Sequence, residues 1–213
     1  MYQNILFDLD GTLTDPGVGI TNSAMYALEK WNIKVAERAS LYKFIGPPLR
    51  DSFMNFYGFS EEQAKEAIVY YREYFKDKGI FENEVYPGIV ELLQKLKADG
   101  KKIVLATSKP EEFAIRILKH FELFEYFDFV GGAYMDGIRN KKGEVIQYAL
   151  ESAGITDLSA TVMIGDREHD IIGAKENGLD SIGVLFGYGS REELTKAGAT
   201  YIAEMVGDIL KFL

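Results

Sequence analysis

The sequence contains no cysteine, and this absence removes several kinds of chemistry at once. Neither a disulfide nor a catalytic or metal-binding thiolate can form without that residue. Histidine occurs only twice, at His120 and His169, which are not at the spacing of metal ligands. We therefore interpret both histidines as structural residues.

Basic residues are the minority: 24 Lys and Arg stand against 33 Asp and Glu, which gives a net charge of -9. This balance argues against non-specific binding to nucleic acid or to anionic membranes, although it leaves room for a local cationic pocket. No apolar run approaches the length of a membrane span, and no signal-peptide pattern precedes the first predicted strand. We expect a cytoplasmic protein that binds neither nucleic acid polymers nor membranes.

The composition is that of a globular protein, with 47% hydrophobic and 27% charged residues among 213. Short apolar segments alternate with amphipathic helix patterns. This alternation predicts a Rossmann-like parallel α/β sheet with helices on both faces. One of the helices is predicted to carry Pro110 in its first turn. The predicted strands are residues 5–7, 102–107, 127–130, 160–164 and 181–185, with a weaker one at 200–202.

One segment, residues 16–86, interrupts the alternation because it contains helix patterns only. Ser60 and Gln63 form a capping-box signature at the start of its last helix. We predict a core domain of residues 1–15 and 87–213 and a small all-helical cap domain of residues 16–86. Ligands of such sheets bind at the carboxyl ends of the strands, so the cap is expected to act there as a lid.

The most informative motif follows the first strand and reads Asp8-Leu9-Asp10-Gly11-Thr12-Leu13. In an extended chain the two aspartates share one face, and Gly11 permits a sharp turn and a close ligand. Carboxylates, amides and a hydroxyl at one strand end suit a metal and a phosphate. A plain turn is the alternative. A calcium loop is disfavoured, because Gly11 comes too early and Gly19 stands where the ligating glutamate is required.

The second strand is followed by Thr107, Ser108 and Lys109, whose hydroxyls and amides could bind phosphate before a helix. The alternative is an ordinary helix cap. Lys142 opens another helix, where a lysine is electrostatically unfavourable unless an anion accompanies it. A solvated surface lysine is the alternative there.

The fourth strand runs into Asp166, and Asp170 lies one helical turn later. Their alternative interpretation is a loop aspartate and a helix N-terminal aspartate. In a parallel sheet all these strand ends lie on one edge, so we expect convergence of Asp8, Asp10, Thr107, Lys142 and Asp166. Carboxylates that close together repel one another unless a divalent cation neutralises them, and ligation by oxygen alone favours Mg²⁺.

Together these motifs resemble the four signature motifs of the haloacid dehalogenase superfamily, in order and across essentially the whole chain. The helical insert and the segment Ile45-Gly46-Pro47-Pro48-Leu49 resemble the phosphoglycolate phosphatase-like branch with a helical C1-type cap. In the third motif a Pro-x-Pro sequence often follows the lysine, whereas Gly143 and Glu144 follow here. Lys142 is the favoured lysine, and Lys141 is the alternative.

The resemblance implies an aspartyl-phosphate mechanism with Asp8 as nucleophile and Asp10 as general acid and base. Mg²⁺ would be held by the Asp8 carboxylate, the Asp10 carbonyl and Asp166. Asp170 would be a further ligand or would orient Lys142. The remaining residues would hold the phosphoryl group: Leu9, Gly11, Thr12, Thr107, Ser108, Lys109 and Lys142.

These roles predict a Mg²⁺-dependent phosphomonoester hydrolase for a small phosphorylated metabolite, either phosphoglycolate phosphatase-like or 5′-nucleotidase-like. Asp10 argues against a dehalogenase, because halide needs no proton. A phosphosugar mutase and a non-catalytic phosphate-binding regulatory protein remain alternatives. Lys43 and Arg50 are candidates for binding a second anionic group of the substrate, and solvated surface charges are the alternative. A monomer is expected.

Overall fold

A computed structural model describes residues 1–135, 139 and 141–213 of the chain. The chain divides into two compact units. The first unit comprises Met1–Thr14 and Val85–Leu213, and the second comprises Asp15–Glu84. Two short strands, β2 (Thr14–Asp15) and β3 (Glu84–Val85), pair with each other, and the unit boundaries fall within them.

The first unit is built on a six-stranded sheet in which every described pairing is parallel. The order of its strands is β5-β4-β1-β6-β7-β8. This arrangement confirms the predicted α/β fold class. The weakest of the predicted strands, at 200–202, forms the edge strand β8. The strands are β1 (Asn4–Phe7), β4 (Lys102–Pro110), β5 (Phe129–Ala133), β6 (Thr161–Gly165), β7 (Asp180–Val184) and β8 (Tyr201–Ala203).

Helices cover both faces of this sheet, as predicted. Ile5, Leu6 and Phe7 of β1 are all completely buried, although neighbouring side chains of a strand point to opposite faces. Leu6 belongs to a core that includes Val145 and Ala174 from two of the helices. The helices of the unit are α4 (Ile89–Ala98), α5 (Glu111–His120), α6 (Lys142–Ser152), α7 (Glu168–Glu176) and α8 (Arg191–Ala197).

Two local features differ from the sequence-based expectation. Pro110 is not in the first turn of a helix, because β4 extends to Pro110 and α5 begins only at Glu111. Its backbone is extended and pairs with Ala133 of β5. Helix α8 was not predicted, because Leu194 is its only buried residue and therefore gives no apolar periodicity.

The second unit is helical, with α1 (Gly17–Glu29), α2 (Leu49–Tyr57) and α3 (Glu61–Tyr74). The capping box predicted at the start of α3 is confirmed. The Ser60 hydroxyl accepts from the Gln63 amide, and the Gln63 side chain accepts from the Ser60 amide. Across the described residues, no helix has the combination of length and apolar content that a membrane crossing requires.

Candidate active site

The central residues of the site lie at the carboxyl ends of three neighbouring strands. Strand β1 lies between β4 and β6, and Phe7 is in register with Leu105 on one side and Ile164 on the other. The residues that follow these positions include Asp8, Thr107 and Asp166, all of them buried. The Asp8 amide donates to the carbonyl of Ile164 at 2.9 Å, which fixes the point where the chain leaves β1. The predicted convergence of these strand ends is thus present in the structure.

Lys142 is the cation at the centre of this group. Its Nζ lies 2.8 Å from Asp8 Oδ1 and 2.7 Å from Asp170 Oδ1. It also donates to the carbonyl of Ala106 at 3.1 Å. Lys142 is buried at the first position of α6, whereas Lys141 is exposed. The structure therefore brings Lys142 together with the aspartates and leaves Lys141 at the surface.

Burial and the charges within this group shift the pKa values of its side chains. Burial opposes a charge on Lys142, but Asp170 and Asp8 outweigh it and raise the pKa of the lysine, which stays protonated at neutral pH. Burial also raises the pKa of Asp166, and the neighbouring Asp170 adds to that shift. The pKa of Asp170 is raised by burial in the same way, although Lys142 opposes the shift. The carboxylates thus lack compensating positive charge.

A divalent cation would supply the positive charge that these buried carboxylates lack. Carboxylate oxygens of Asp8, Asp166 and Asp170 lie within 4.8 Å of one another, and all three residues are buried. With Asp10 included, the described part of the site has four buried aspartates and two buried lysines, which leaves two negative charges in excess when all are ionised. Oxygen ligands and a charge of +2 are what a hard divalent ion such as Mg²⁺ requires.

Asp10 lies apart from the three clustered carboxylates and has its own lysine. Lys109 Nζ is 2.7 Å from Asp10 Oδ2. Burial raises the pKa of Asp10, and the charge of Lys109 opposes the shift. A buried carboxyl with a raised pKa is suited to proton transfer. Any contribution of Asp10 to a metal would come from its carbonyl, as the family resemblance implies.

The turn after Asp8 is tightly packed. Gly11 has a φ of 81°, and an added Cβ would collide with the Asp166 carboxylate, so only glycine fits. The Gly11 amide donates to Thr14 O at 2.8 Å, and the Thr12 amide donates to Leu9 O at 3.2 Å. The Thr12 hydroxyl faces Asp166 Oδ1 at 3.5 Å. The amides of Gly11 and Thr12, predicted to bind phosphate, are therefore engaged within the turn.

The other predicted phosphate ligands lie at the end of β4. Thr107 is buried, and its hydroxyl accepts from the Lys109 amide at 3.2 Å. Ser108 is half-buried. Both precede α5, whose first turn contains Glu111 and Glu112. The hydroxyl of Thr107 is thus held at the same strand edge as Asp8.

The predicted substrate residues of the second unit have local partners. Lys43 Nζ lies 4.6 Å above the ring of Phe56. Arg50 forms an ion pair with Glu61 at 3.2 Å, and both side chains are about half exposed. Phe53 is fully buried, with its ring edge-on to Phe44, and so belongs to the core of the unit.

Sequence reasoning missed a segment that supports the clustered carboxylates. The Tyr188 amide donates to Asp166 Oδ2 at 2.8 Å. A Cβ at either Gly187 or Gly189 would collide with Asp166. Glu193 then accepts from Arg167 Nε at 2.8 Å and from the Glu168 amide at 2.9 Å. The available signal was the sequence Gly187-Tyr188-Gly189, which begins three residues after the end of β7.

We expect Glu193→Ala to weaken divalent metal binding by about 10-fold, because residues that orient metal ligands typically contribute that much. The effect can be read directly from Mn²⁺ titration followed by electron paramagnetic resonance. Glu192→Ala is the matched control, since it removes the neighbouring acid of the same helical turn. Equal affinities in the two variants would show that Glu193 does not support the site.

Comparison with known proteins places the chain in a family. A family model described as haloacid dehalogenase-like hydrolase matches residues 5–184. A 5′-nucleotidase from Pseudomonas aeruginosa is 48% identical over 193 residues, which cover 91% of this chain and 87% of that protein. The tyrosine-protein kinase PtkA from Mycobacterium tuberculosis is 38% identical over 201 residues, covering 94% of this chain and 68% of that protein.

A solved structure gives the same result. A protein from Clostridium acetobutylicum, described as a predicted phosphatase, is 53% identical, with a TM-score of 0.97 over 100% of this chain and 98% of that one. The chain therefore belongs to the haloacid dehalogenase-like hydrolase family, which confirms the family predicted from the four motifs, and it is a phosphatase within that family.

Proposed function

We propose that the protein hydrolyses small phosphomonoesters through a phosphoryl group carried on Asp8, with Mg²⁺ as its cofactor. The observation that supports this most strongly is that the neighbouring residues Asp8 and Asp10 contact different lysines. Asp8 contacts Lys142 and lies in the carboxylate cluster, whereas Asp10 contacts Lys109 outside it. Two carboxylates in such different environments suit two different chemical roles.

In the first step, an Asp8 oxygen attacks phosphorus and the bond from phosphorus to the substrate oxygen breaks. Asp10 donates a proton to the departing oxygen, which leaves as an alcohol. In the second step, Asp10 removes a proton from water, whose oxygen attacks phosphorus. The bond from Asp8 to phosphorus then breaks, and inorganic phosphate leaves with Asp8 and Asp10 restored.

The remaining residues control charge and orientation. Lys142 keeps the Asp8 carboxylate in place and adds positive charge beside the phosphoryl oxygens. The Thr107 hydroxyl would donate to one of those oxygens. Mg²⁺, when bound, would neutralise the repulsion between the anionic nucleophile and the anionic substrate. The carboxylates of Asp8, Asp166 and Asp170 and the carbonyl of Asp10 would hold it.

We propose nucleoside 5′-monophosphates as the preferred substrates, supported by the 48% identical relative named 5′-nucleotidase. The same proposal includes a cytoplasmic, monomeric protein with no nucleic acid polymer or membrane as partner. The net charge of -9 supports the exclusion of those polyanionic partners.

A substrate panel tests this function. We expect Mg²⁺-dependent phosphate release with the highest kcat/KM for nucleoside 5′-monophosphates, and lower values for nucleoside 3′-monophosphates, phosphoglycolate and sugar phosphates. The Asp8→Asn variant, prepared identically, controls for contaminating phosphatases. The substrate assignment is wrong if phosphoglycolate or a phosphoprotein is turned over faster than every nucleotide. The hydrolytic function is wrong if no phosphomonoester is cleaved.

A further inference from the structure

Each of the two aspartates at the reaction centre has its own buried lysine, and the second pair suggests a role for Lys109. The distance from Lys109 Nζ to Asp10 Oδ2 is 2.7 Å, and the two side chains are only 6% and 12% exposed. A buried ion pair of this kind has little freedom to rearrange, because separating the charges in a dry environment is costly. Lys109 therefore restrains the carboxylate that the proposed function uses for proton transfer.

The backbone of Lys109 is itself held in place. The pairing of β4 with β5 shifts register between Thr107 and Pro110, so Lys109 lies in an irregular part of the strand. Its amide donates to the Thr107 hydroxyl at 3.2 Å. On the neighbouring strand, Gly132 lies so close to the Lys109 carbonyl that an added Cβ would have no room. These contacts fix the position from which the lysine side chain extends.

The two oxygens of the Asp10 carboxylate have different surroundings. Oδ2 contacts Lys109, whereas Oδ1 is buried and has no hydrogen-bond partner among the residues that the structure describes. A buried oxygen without a hydrogen-bond partner is uncommon, and a catalytic role is one of the recognised explanations. A proton-transferring carboxyl must present one oxygen at about 2.6–3.2 Å from its reaction partner. Lys109 holds Oδ2 in place, so Oδ1 is the oxygen that can approach the reaction partner.

We propose that Lys109 is a positioning residue that anchors Asp10 Oδ2, so that Oδ1 is the atom that exchanges protons with the leaving oxygen and with water. This inference rests on the proposed phosphatase function, and it replaces the initial expectation that Lys109 binds the phosphoryl group. Lys109 acts through Asp10 and need not touch the substrate.

The leaving group distinguishes this role from phosphate binding. An alkoxide, such as the ribose oxygen of a nucleotide, needs a proton to leave, whereas p-nitrophenolate is a weak base and leaves readily without one. Loss of a positioning residue for the acid should therefore slow the phosphorylation of Asp8 by nucleotides and spare its phosphorylation by p-nitrophenyl phosphate. Loss of a phosphate ligand should slow both reactions equally.

The experiment measures the pre-steady-state rate of phosphoenzyme formation with both substrates. We expect Lys109→Met to slow this step by about 100-fold for a nucleoside monophosphate, a typical contribution of general acid catalysis, and by less than about 3-fold for p-nitrophenyl phosphate. Lys109→Arg, which keeps the charge, should recover most of the rate. Lys102→Met is the matched control, because Lys102 opens the same strand and its Nζ donates to the Ala153 carbonyl at 2.9 Å.

A double-mutant comparison tests whether Lys109 acts through Asp10. In an Asp10→Asn background, Lys109→Met should cause no further loss with the nucleotide. That background also removes the unpaired buried carboxylate that could prevent the single variant from folding. Equal losses with both substrates, or a further loss in the Asp10→Asn background, would overturn this inference while leaving the phosphatase function intact. A wild-type protein that forms no phosphoenzyme would overturn both.

Discussion

Asp8→Asn is expected to lower phosphatase turnover by about 10⁴-fold or more, because the variant has no nucleophile to carry the phosphoryl group. Asparagine keeps the shape of the side chain and removes one negative charge from a cluster that has an excess of them. Lys142 retains Asp170 as its partner at 2.7 Å, so the variant should fold. Phosphate release and thermal unfolding of the same preparations provide the measurement.

One outcome of this experiment would contradict the role of Asp8 as nucleophile. A folded Asp8→Asn variant with near-normal turnover would show that water attacks the substrate directly or that another residue is the nucleophile. Asp8→Glu is a useful companion variant, because it keeps the charge and moves the oxygens by about one bond length. It should also lose most activity, since reacting atoms must be placed to within a fraction of an ångström.

Removal of divalent metal is expected to abolish activity completely and to destabilise the protein. In the proposed function, Mg²⁺ compensates the negative charge of Asp8, Asp166 and Asp170 in the folded chain, so saturation at about 100 times its dissociation constant should add about 2.7 kcal/mol to the free energy of unfolding. Thermal unfolding with EDTA and with graded Mg²⁺ measures this effect independently of turnover. Ca²⁺ should bind but support little activity, because its coordination is looser.

Asp166→Asn is the variant that makes this test specific. It removes a buried carboxylate. Burial and the neighbouring Asp170 both raise the pKa of that group, so the metal-free variant should be at least as stable as metal-free wild type. Mg²⁺ should then add little further stability. Full activity of wild type after exhaustive dialysis against EDTA, or an equal Mg²⁺ stabilisation of Asp166→Asn, would contradict the assignment of the metal site.

The parts of the site that were predictable follow from local pattern and sheet topology. Asp8 and Asp166 each come after an apolar strand, and parallel strands end on one edge, so their proximity follows once the strands are recognised. The position of Lys142 was harder to predict, because the adjacent Lys141 offers the same charge. The structure separates the two by burial: α6 begins at Lys142, which faces Asp8 and Asp170.

The pairing of Lys109 with Asp10 was not predictable from the sequence. It joins the residues that follow β1 to the irregular part of β4, two segments that lie about 100 positions apart in the sequence. The support that Tyr188 and Glu193 give to the segment from Asp166 to Glu168 has the same origin, since it joins residues more than 20 positions apart. Neither arrangement leaves a periodic pattern in the sequence, and both require the assembled edge of the sheet.

Detection of a phosphoryl group on Asp8 tests the central claim most directly. Wild-type protein should be mixed with substrate and Mg²⁺, quenched in acid within milliseconds, reduced with borohydride, and mapped by mass spectrometry. An acyl phosphate is reduced to an alcohol, so we expect homoserine at position 8 and unmodified aspartate at Asp10, Asp166 and Asp170. Modification of a different aspartate, or none at a time when phosphate is already being released, would contradict the aspartyl-phosphate mechanism.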